Sequence, residues 1–330
     1  IMGTLEADPT SVPENVTPEQ QTTGLWGQMF NSQTGIEEVT VNGDNLKYIQ
    51  GSTFPFLKKM HVVGGDAVPV GYTYSGKPLE SVDIDVSTYT SSHHGAFFDA
   101  QQLKTVTIKA NSVTLGQNDF QLCPDLKAVD LSQCGSVTYN NNTFGMGEHN
   151  NYPNSASTNK NVYIYVKDDN ANPRKSSTNT GIDGNGIVMV IGDDAIVDMT
   201  KTGFDSVTKA GYTAKWYEDA NCQTETKDAT PVPGKTYYAK WTKNNYTVTF
   251  NNNGHGEQPT DKPVEYGGFV TDLPELRDSA NEWVFDGWYM DENFATKYNN
   301  QAITGNTTLY AKWHEYQNTS LTAKVSKSDY

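Results

Sequence analysis

Between residues 36 and 131 the apolar positions recur as a triplet, the second member three residues after the first and the third five after it. The triplets are Ile36, Val39 and Val41 in IEEVTV, then Leu57, Met60 and Val62 in LKKMHV, then Leu79, Val82 and Ile84 in LESVDI. They continue as Leu103, Val106 and Ile108 in LKTVTI, and Leu126, Val129 and Leu131 in LKAVDL. The first members step by 21, 22, 24 and 23 residues. Alternation within each hexapeptide predicts a short strand whose fourth and sixth residues face inward while their neighbours face out. One such strand cannot bury its own apolar edge, so the pattern predicts stacked coils, a short solenoid. An aromatic residue precedes each of three triplets (Phe54, Phe97 and Phe120), placed to fill the core beneath the far side.

A repeat stack needs covers at its ends. In TPEQQTTGLWGQMF, Thr17 reads as a helix N-cap, Pro18 as the first helical residue and Gln20 as the partner in a capping box. Leu25, Trp26, Met29 and Phe30 then form an apolar stripe, which predicts a helical cap over about 14–31. At the other end NVYIYVKDD reads as a last strand, closing a repeat domain over 1–169. The polar stretch over 170–185, rich in Asn, Ser and Gly, reads as a linker.

Beyond it one aromatic phrase is written twice. Trp216 and Trp241 are separated by 25 residues, as are Trp288 and Trp313, and both intervals end in YAKW. In the later copy YTVTFNNNG, WVFDGWYMD and TTLYAKW alternate as strands. A module of this size has little core, so its aromatics carry most of the burial, and the phrase recurs because its Trp and Tyr positions are the skeleton. The reading gives a shortened, divergent module at 186–242, a full one at 243–314 and a tail at 315–330.

Two resemblances follow. L-x-x-L-x-L at this period is a leucine-rich-repeat signature, and DFQLCPDLKAVDL resembles the BspA-like leucine-rich repeat of bacterial surface proteins, whose coils carry an aromatic and a Cys before each strand. The resemblance covers about 30–167 and implies that Cys123 and Cys134 are buried repeat positions, a disulfide between them being the alternative. YTVTFNNNG…GWY…TTLYAKW resembles the internalin-B-type B repeat, also called the Listeria–Bacteroides repeat, over about 245–313. That resemblance implies a small β-grasp module on secreted or wall-attached bacterial proteins. The earlier copy departs from it: GYTAKWY is one residue short, Lys215 stands where the later copy has Gly287, and GIVMVIGDD lacks the usual alternating form. The expected fold class is therefore mainly β, a short leucine-rich-repeat solenoid with an N-terminal helical cap, followed by two β-grasp-like B-repeat modules.

Composition changes this picture little. Hydrophobic residues make up 35% of the chain, but 19 Tyr, 12 Phe and 6 Trp supply enough buriable surface to set it apart from disordered sequences. The net charge of −15 is spread over both halves without a basic run, which argues against nucleic acid and reads as a solubility device. The three cysteines form no disulfide framework. No apolar run reaches the roughly 18 residues of a membrane span.

No motif points to catalysis or a cofactor. His93 and His94 are adjacent but lack the spacing of a metal motif, so they read as a polar loop. Asp83 and Asp85 share an outer face without the second carboxylate cluster of a glycosidase. DDNAN and GIDGNG have calcium-loop composition without EF-hand spacing, and GIDGNG lacks the Lys of a phosphate loop. Cys222 has no neighbouring His to activate it. The expectation is a non-enzyme without metal or cofactor.

What remains is a surface. The outward strand positions are Thr40, Asn42, His61, Val63, Asp83, Asp85, Thr107, Lys109, Asp130 and Ser132, with Tyr163 and Tyr165 at the end, and they form the expected concave ligand-binding face. The family order implies a monomeric, extracellular, cell-surface adhesin, binding a protein or glycan on host or neighbouring cells, with B repeats as spacers. The competing class is a structural stalk without a ligand. Attachment to the cell rests on the resemblance alone.

Overall fold

The structure is a computed structural model describing residues 24–25, 35–42, 48–50, 54–67, 69–70, 77–91, 95–145, 161–182 and 184–317. It divides into two compact units, one of residues 1–210 and 214–241, the other of 211–213 and 242–330.

The first unit is built on the predicted ladder. Glu38–Asn42, Lys59–Val63, Ser81–Asp85, Thr105–Ala110, Ala128–Cys134 and Val162–Val166 pair in parallel, each with the next. Val39, Met60, Val82, Val106, Val129 and Ile164 stand in one register row. The leucines that open four triplets (Leu57, Leu79, Leu103 and Leu126) are all buried. A second parallel sheet runs through Asp66–Ala67, Thr88–Thr90, Ser112–Leu115 and Val137–Tyr139, so these coils carry two strands each. Between the walls Phe97, Phe120 and Phe144 stack with centroids 5.5 and 5.6 Å apart, offset rings being a favourable way to fill a repeating core. The chain is thus a β-solenoid in this region.

Within the return arcs, Asp119 is fully buried and receives Ser91 Oγ at 2.8 Å, the Ala96 amide at 2.9 Å and the Gly116 amide at 2.6 Å. Cys123 and Cys134 are buried, free thiols rather than a disulfide. Cys123 Sγ donates to the Phe97 carbonyl at 3.0 Å and Cys134 Sγ to the Ile108 carbonyl at 3.1 Å, each stapling its coil to the one before.

Four expectations differ from what is observed. The helical cap over 14–31 is not supported: Gly24 and Leu25 are a strand paired in parallel with Tyr48 and Ile49, and the other positions of that span lie outside the described residues. The stretch read as a linker over 170–185 packs onto the solenoid. It holds two 3-10 turns, Asp169–Ala171 capped by Asp168 and Pro173–Lys175 capped by Asn172. The Asn142 and Phe144 amides donate to the carbonyls of Asn179 and Thr180, and Tyr139 Oη donates to the Ala171 carbonyl at 2.6 Å. Polar composition here serves buried turn bonds, as in the other return arcs.

The third difference is the start of the earlier aromatic module. Gly186–Val190 pairs in parallel with Val162–Val166 on one side and with Thr236–Lys243 on the other, continuing the solenoid sheet. All five of its residues are buried. Val188 and Val190 join the solenoid core, while Ile187 and Met189 join a second core with Trp216 and Tyr237. A strand covered on both faces needs apolar residues at every position, which is why GIVMV does not alternate.

The fourth concerns the later module. It is a four-stranded mixed sheet ordered Lys262–Glu265, Asn245–Asn251, Thr307–Glu315, Trp283–Tyr289. Its first strand runs parallel to Thr307–Glu315 and the outer pairs are antiparallel. A β-grasp has a helix across its sheet; here residues 266–282 form an irregular cover, with Val270 and Leu276 buried against Phe250 and Trp288. The described residues contain no α-helix.

Candidate ligand-binding face

The outward side of the solenoid sheet is set by register. One row runs Thr40, His61, Asp83, Thr107, Asp130, Tyr165; the next runs Asn42, Val63, Asp85, Lys109, Gln133.

Over the first four rungs the face is open. Thr40, Asn42, Asp85 and Lys109 are exposed, Val63 is 48% exposed, and His61, Asp83 and Thr107 are half-buried. The charges bridge rungs: His61 Nε2 lies 3.1 Å from Glu38 Oε1, His61 Nδ1 lies 3.2 Å from Asp83 Oδ2, and Lys109 Nζ lies 2.8 Å from Asp85 Oδ2. Pairs this exposed contribute little to stability and stay available to a partner.

From the fifth rung onward the face is covered, except at Gln133, which stays exposed. Asp130, Ser132 and Tyr165 are buried, and Tyr163 is half-buried. Tyr165 Oη shares a 2.8 Å hydrogen bond with Ser206 Oγ, and Ala195 and Val207 pack into the same core as Tyr165 and Met189. The cover is the segment after the Gly186–Val190 strand, which returns across the face. Asp130 is held by the Ser132 amide at 2.9 Å, and burial raises its pKa. Ser132 is displaced for a second reason: a bulge between Asp130 and Gln133 puts Gln133, rather than Ser132, opposite Lys109.

At the rim of the covered part lies a cleft of about 730 Å³. Its walls are the turns at Gly64, Gly65 and Gly135 together with Asp85, Lys109, Gln133, Lys167, Asp193 and Asp194. Lys167 pairs with Asp193 at 2.6 Å and Gln133 Nε2 donates to the Ala195 carbonyl at 3.1 Å. The side chains of Gln133, Lys167, Asp193 and Asp194 were not among the sequence candidates, because their place depends on the fold of the covering segment. The one available signal was the unalternating GIVMV strand, which implied a second apolar layer on the outer face.

The other sequence candidates fall as follows. His93 and His94 lie outside the described residues, and no group of three or more His, Cys, Asp or Glu among those described is placed to hold a metal ion. In DDNAN the carboxylates serve the turns: Asp168 accepts from the Asn170 and Ala171 amides, and Asp169 accepts from Asn172, Lys175 and Tyr238. No helix among the described residues is long and apolar enough to cross a membrane.

The fold and this open face define a β-solenoid repeat protein. Its later module is also recognised by comparison: residues 246–312 match the family model of the Listeria-Bacteroides repeat domain. A 113-residue stretch is 37% identical to a "Putative Gly-rich membrane protein" of Evansella cellulosilytica, covering 32% of this chain and 12% of that one. A 112-residue stretch is 37% identical to a "Putative membrane protein" of the same organism, covering 32% of this chain and 16% of that one. The chain therefore matches less than a fifth of the length of either relative.

Proposed function

We propose that this chain is part of a bacterial surface protein whose solenoid binds a protein or glycan on host or neighbouring cells, with the Listeria-Bacteroides repeat as a spacer. Surface association is supported by that repeat and by the names of the two relatives. The BspA-like reading of the coils is supported by the register row from Val39 to Ile164 and by the buried Cys123 and Phe120. The observation that carries the binding reading is the open outer face of the first four rungs, where alternating acid and base stand beside exposed Val63. No catalytic step is assigned to the chain.

The test immobilises the full chain and exposes it to mucins, extracellular-matrix proteins and glycan arrays. Saturable binding that is lost in Asp83→Lys/Asp85→Lys and kept in Lys209→Glu, a change away from the open rungs, supports the reading. Absence of binding across all three panels overturns it.

The stalk reading is favoured by the covering of Asp130, Ser132 and Tyr165, which leaves fewer open rungs than the repeat count promised. It predicts that the Asp83→Lys/Asp85→Lys chain, expressed at the cell surface, leaves attachment of cells unchanged.

A further inference from the structure

The later aromatic module carries a cleft of about 490 Å³ of its own, lined by Asn251, Asn253, His255, Glu292, Phe294, Tyr310 and Trp313 around Ala311. We infer that this cleft binds the face of a neutral pyranose sugar.

The first reason is the lining. Trp313, Tyr310 and Phe294 remain partly exposed in it, and His255 packs against Trp283 and Trp313 with its ring tilted to both, the centroids 4.5 and 5.5 Å away. Aromatic faces carry partial negative charge and attract polarised C–H groups, which one side of a pyranose ring presents together. Around the rings stand two amides and a carboxylate, planar groups suited to adjacent hydroxyls. The lining contains no Lys or Arg, and Glu292 is exposed, so a uronic or sialic acid would meet a carboxylate in the wall, while the Lys312 ammonium lies over the Phe294 ring at 5.9 Å from its centroid.

The second reason is that the walls are held in place without the ligand. Trp313 Nε1 donates to the Asn252 carbonyl at 2.9 Å, Asn253 Nδ2 to the Ala311 carbonyl at 2.7 Å, and the Asn253 amide to Asn251 Oδ1 at 2.9 Å. Tyr310 donates to Glu292. A preformed cleft loses little ordering entropy on binding.

The third reason comes from the earlier copy. Six residues after Trp288 stands Phe294; six after Trp216 stands Cys222. Both backbones are left-handed, with φ of 56° and 51°, inside turns tied by Asp291 and Asp219. The turn thus forms without the phenyl ring, and a bulky residue at positive φ is disfavoured where Asn or Gly would fit. Four residues after each Trp stand Glu292 and Ala220. The shared phrase keeps the skeleton in both copies, while the ring and the acid that line the cleft belong to the later copy only.

The experiment uses the full chain with chitotriose, lactose and maltotriose as neutral probes and sialyllactose as the anionic one, read by saturation-transfer NMR and calorimetry. At least one neutral probe should bind with a Kd on the order of 1 mM, and sialyllactose, which is lactose carrying one acidic sugar, should bind more weakly than the neutral probes. Glu292→Gln should weaken that binding about tenfold, and Phe294→Asn should abolish it. Asp83→Lys/Asp85→Lys, on the solenoid face, should leave it unchanged, which separates this site from the proposed solenoid site. Should Phe294→Asn unfold the module, Glu292→Gln decides alone. No response to any neutral probe, equal response to sialyllactose, or binding indifferent to Glu292→Gln overturns the inference.

Discussion

Ile164 and Val188 stand opposite one another in a parallel pair, both fully buried, and through them the repeat stack continues into the first aromatic module. This junction makes the two parts one folding unit. Val188→Ala removes two methyl groups from a filled core and should cost about 2–3 kcal/mol. Val188→Asp should prevent folding of the solenoid end, because it buries a charge with no partner. A fragment ending at residue 169 would leave the Val162–Val166 edge unpaired and Tyr165 uncovered, so it should aggregate where a fragment ending at residue 243 stays monomeric. Sedimentation and chemical denaturation of the two fragments check this; equal solubility and stability would remove the junction from the account.

The ladder was legible because each triplet reports burial on one face only. Val39, Val82 and Val106 alternate with polar neighbours, and period-2 alternation has one structural meaning. The cover over Asp130 and Tyr165 was not legible in the same way. Asp130 looks like its half-buried counterpart Asp83 on the open rungs, and the burial of Asp130 and Tyr165 is decided by a segment that follows the Gly186–Val190 strand. Ser132 was misplaced by a bulge, a one-residue event that alternation cannot register. The repeated Trp positions were legible as a skeleton, but the partner of Gly186–Val190 was not, since pairing depends on tertiary context.

Asp119 titrates against the usual acid behaviour. Burial pushes its carboxyl up to about 6 despite hydrogen bonds from Ala96, Ser91 and Gly116. A carboxyl whose folded pKa is raised favours folding below its unfolded pKa of 3.8, and that contribution is lost as pH rises through about 6. The lost stability is about 3 kcal/mol. Asp119→Asn keeps the Oδ1 acceptor used by Ser91 and Ala96, gives up the Gly116 bond and removes the titration. The variant should be less stable than the parent at about pH 4.5, with the gap narrowing toward about pH 7.5. Urea denaturation at the two values decides; a gap that does not change with pH refutes it.

Asp219 and Asp291 behave in the opposite sense. Asp291 accepts the amides of Asn293, Ala295 and Thr296, and Asp219 those of Asn221, Gln223 and Thr224. These bonds favour the carboxylate and lower both pKa values below 3.8. Their contribution is present above the unfolded pKa and is lost as pH falls through the lowered folded value. Asp291→Asn should therefore lower the thermal midpoint at neutral pH, and the difference from the parent should shrink in acid. A difference of the same size at about pH 7 and about pH 2 would show that the amide–carboxylate bonds are not its source.

The three thiols should separate by reactivity. Cys123 and Cys134 are buried, each bonded to a carbonyl of the preceding coil, and burial pushes both to about 12. Thiolate is the reactive form, so neither should be modified while the coils are stacked. Cys222 is partly exposed in the Asp219 turn; burial raises its pKa as well, less than for the other two. A maleimide dye at about pH 8 should label one site per native chain, at Cys222, and three after denaturation. Cys222→Ser should abolish native labelling. Cys123→Ser should leave it in place, since a hydroxyl can still donate to the Phe97 carbonyl and keep the coil closed. Rapid native labelling at Cys123 or Cys134 would mean that the coils open locally, and the parallel stack described here would then be a marginal state rather than the resting form of the protein.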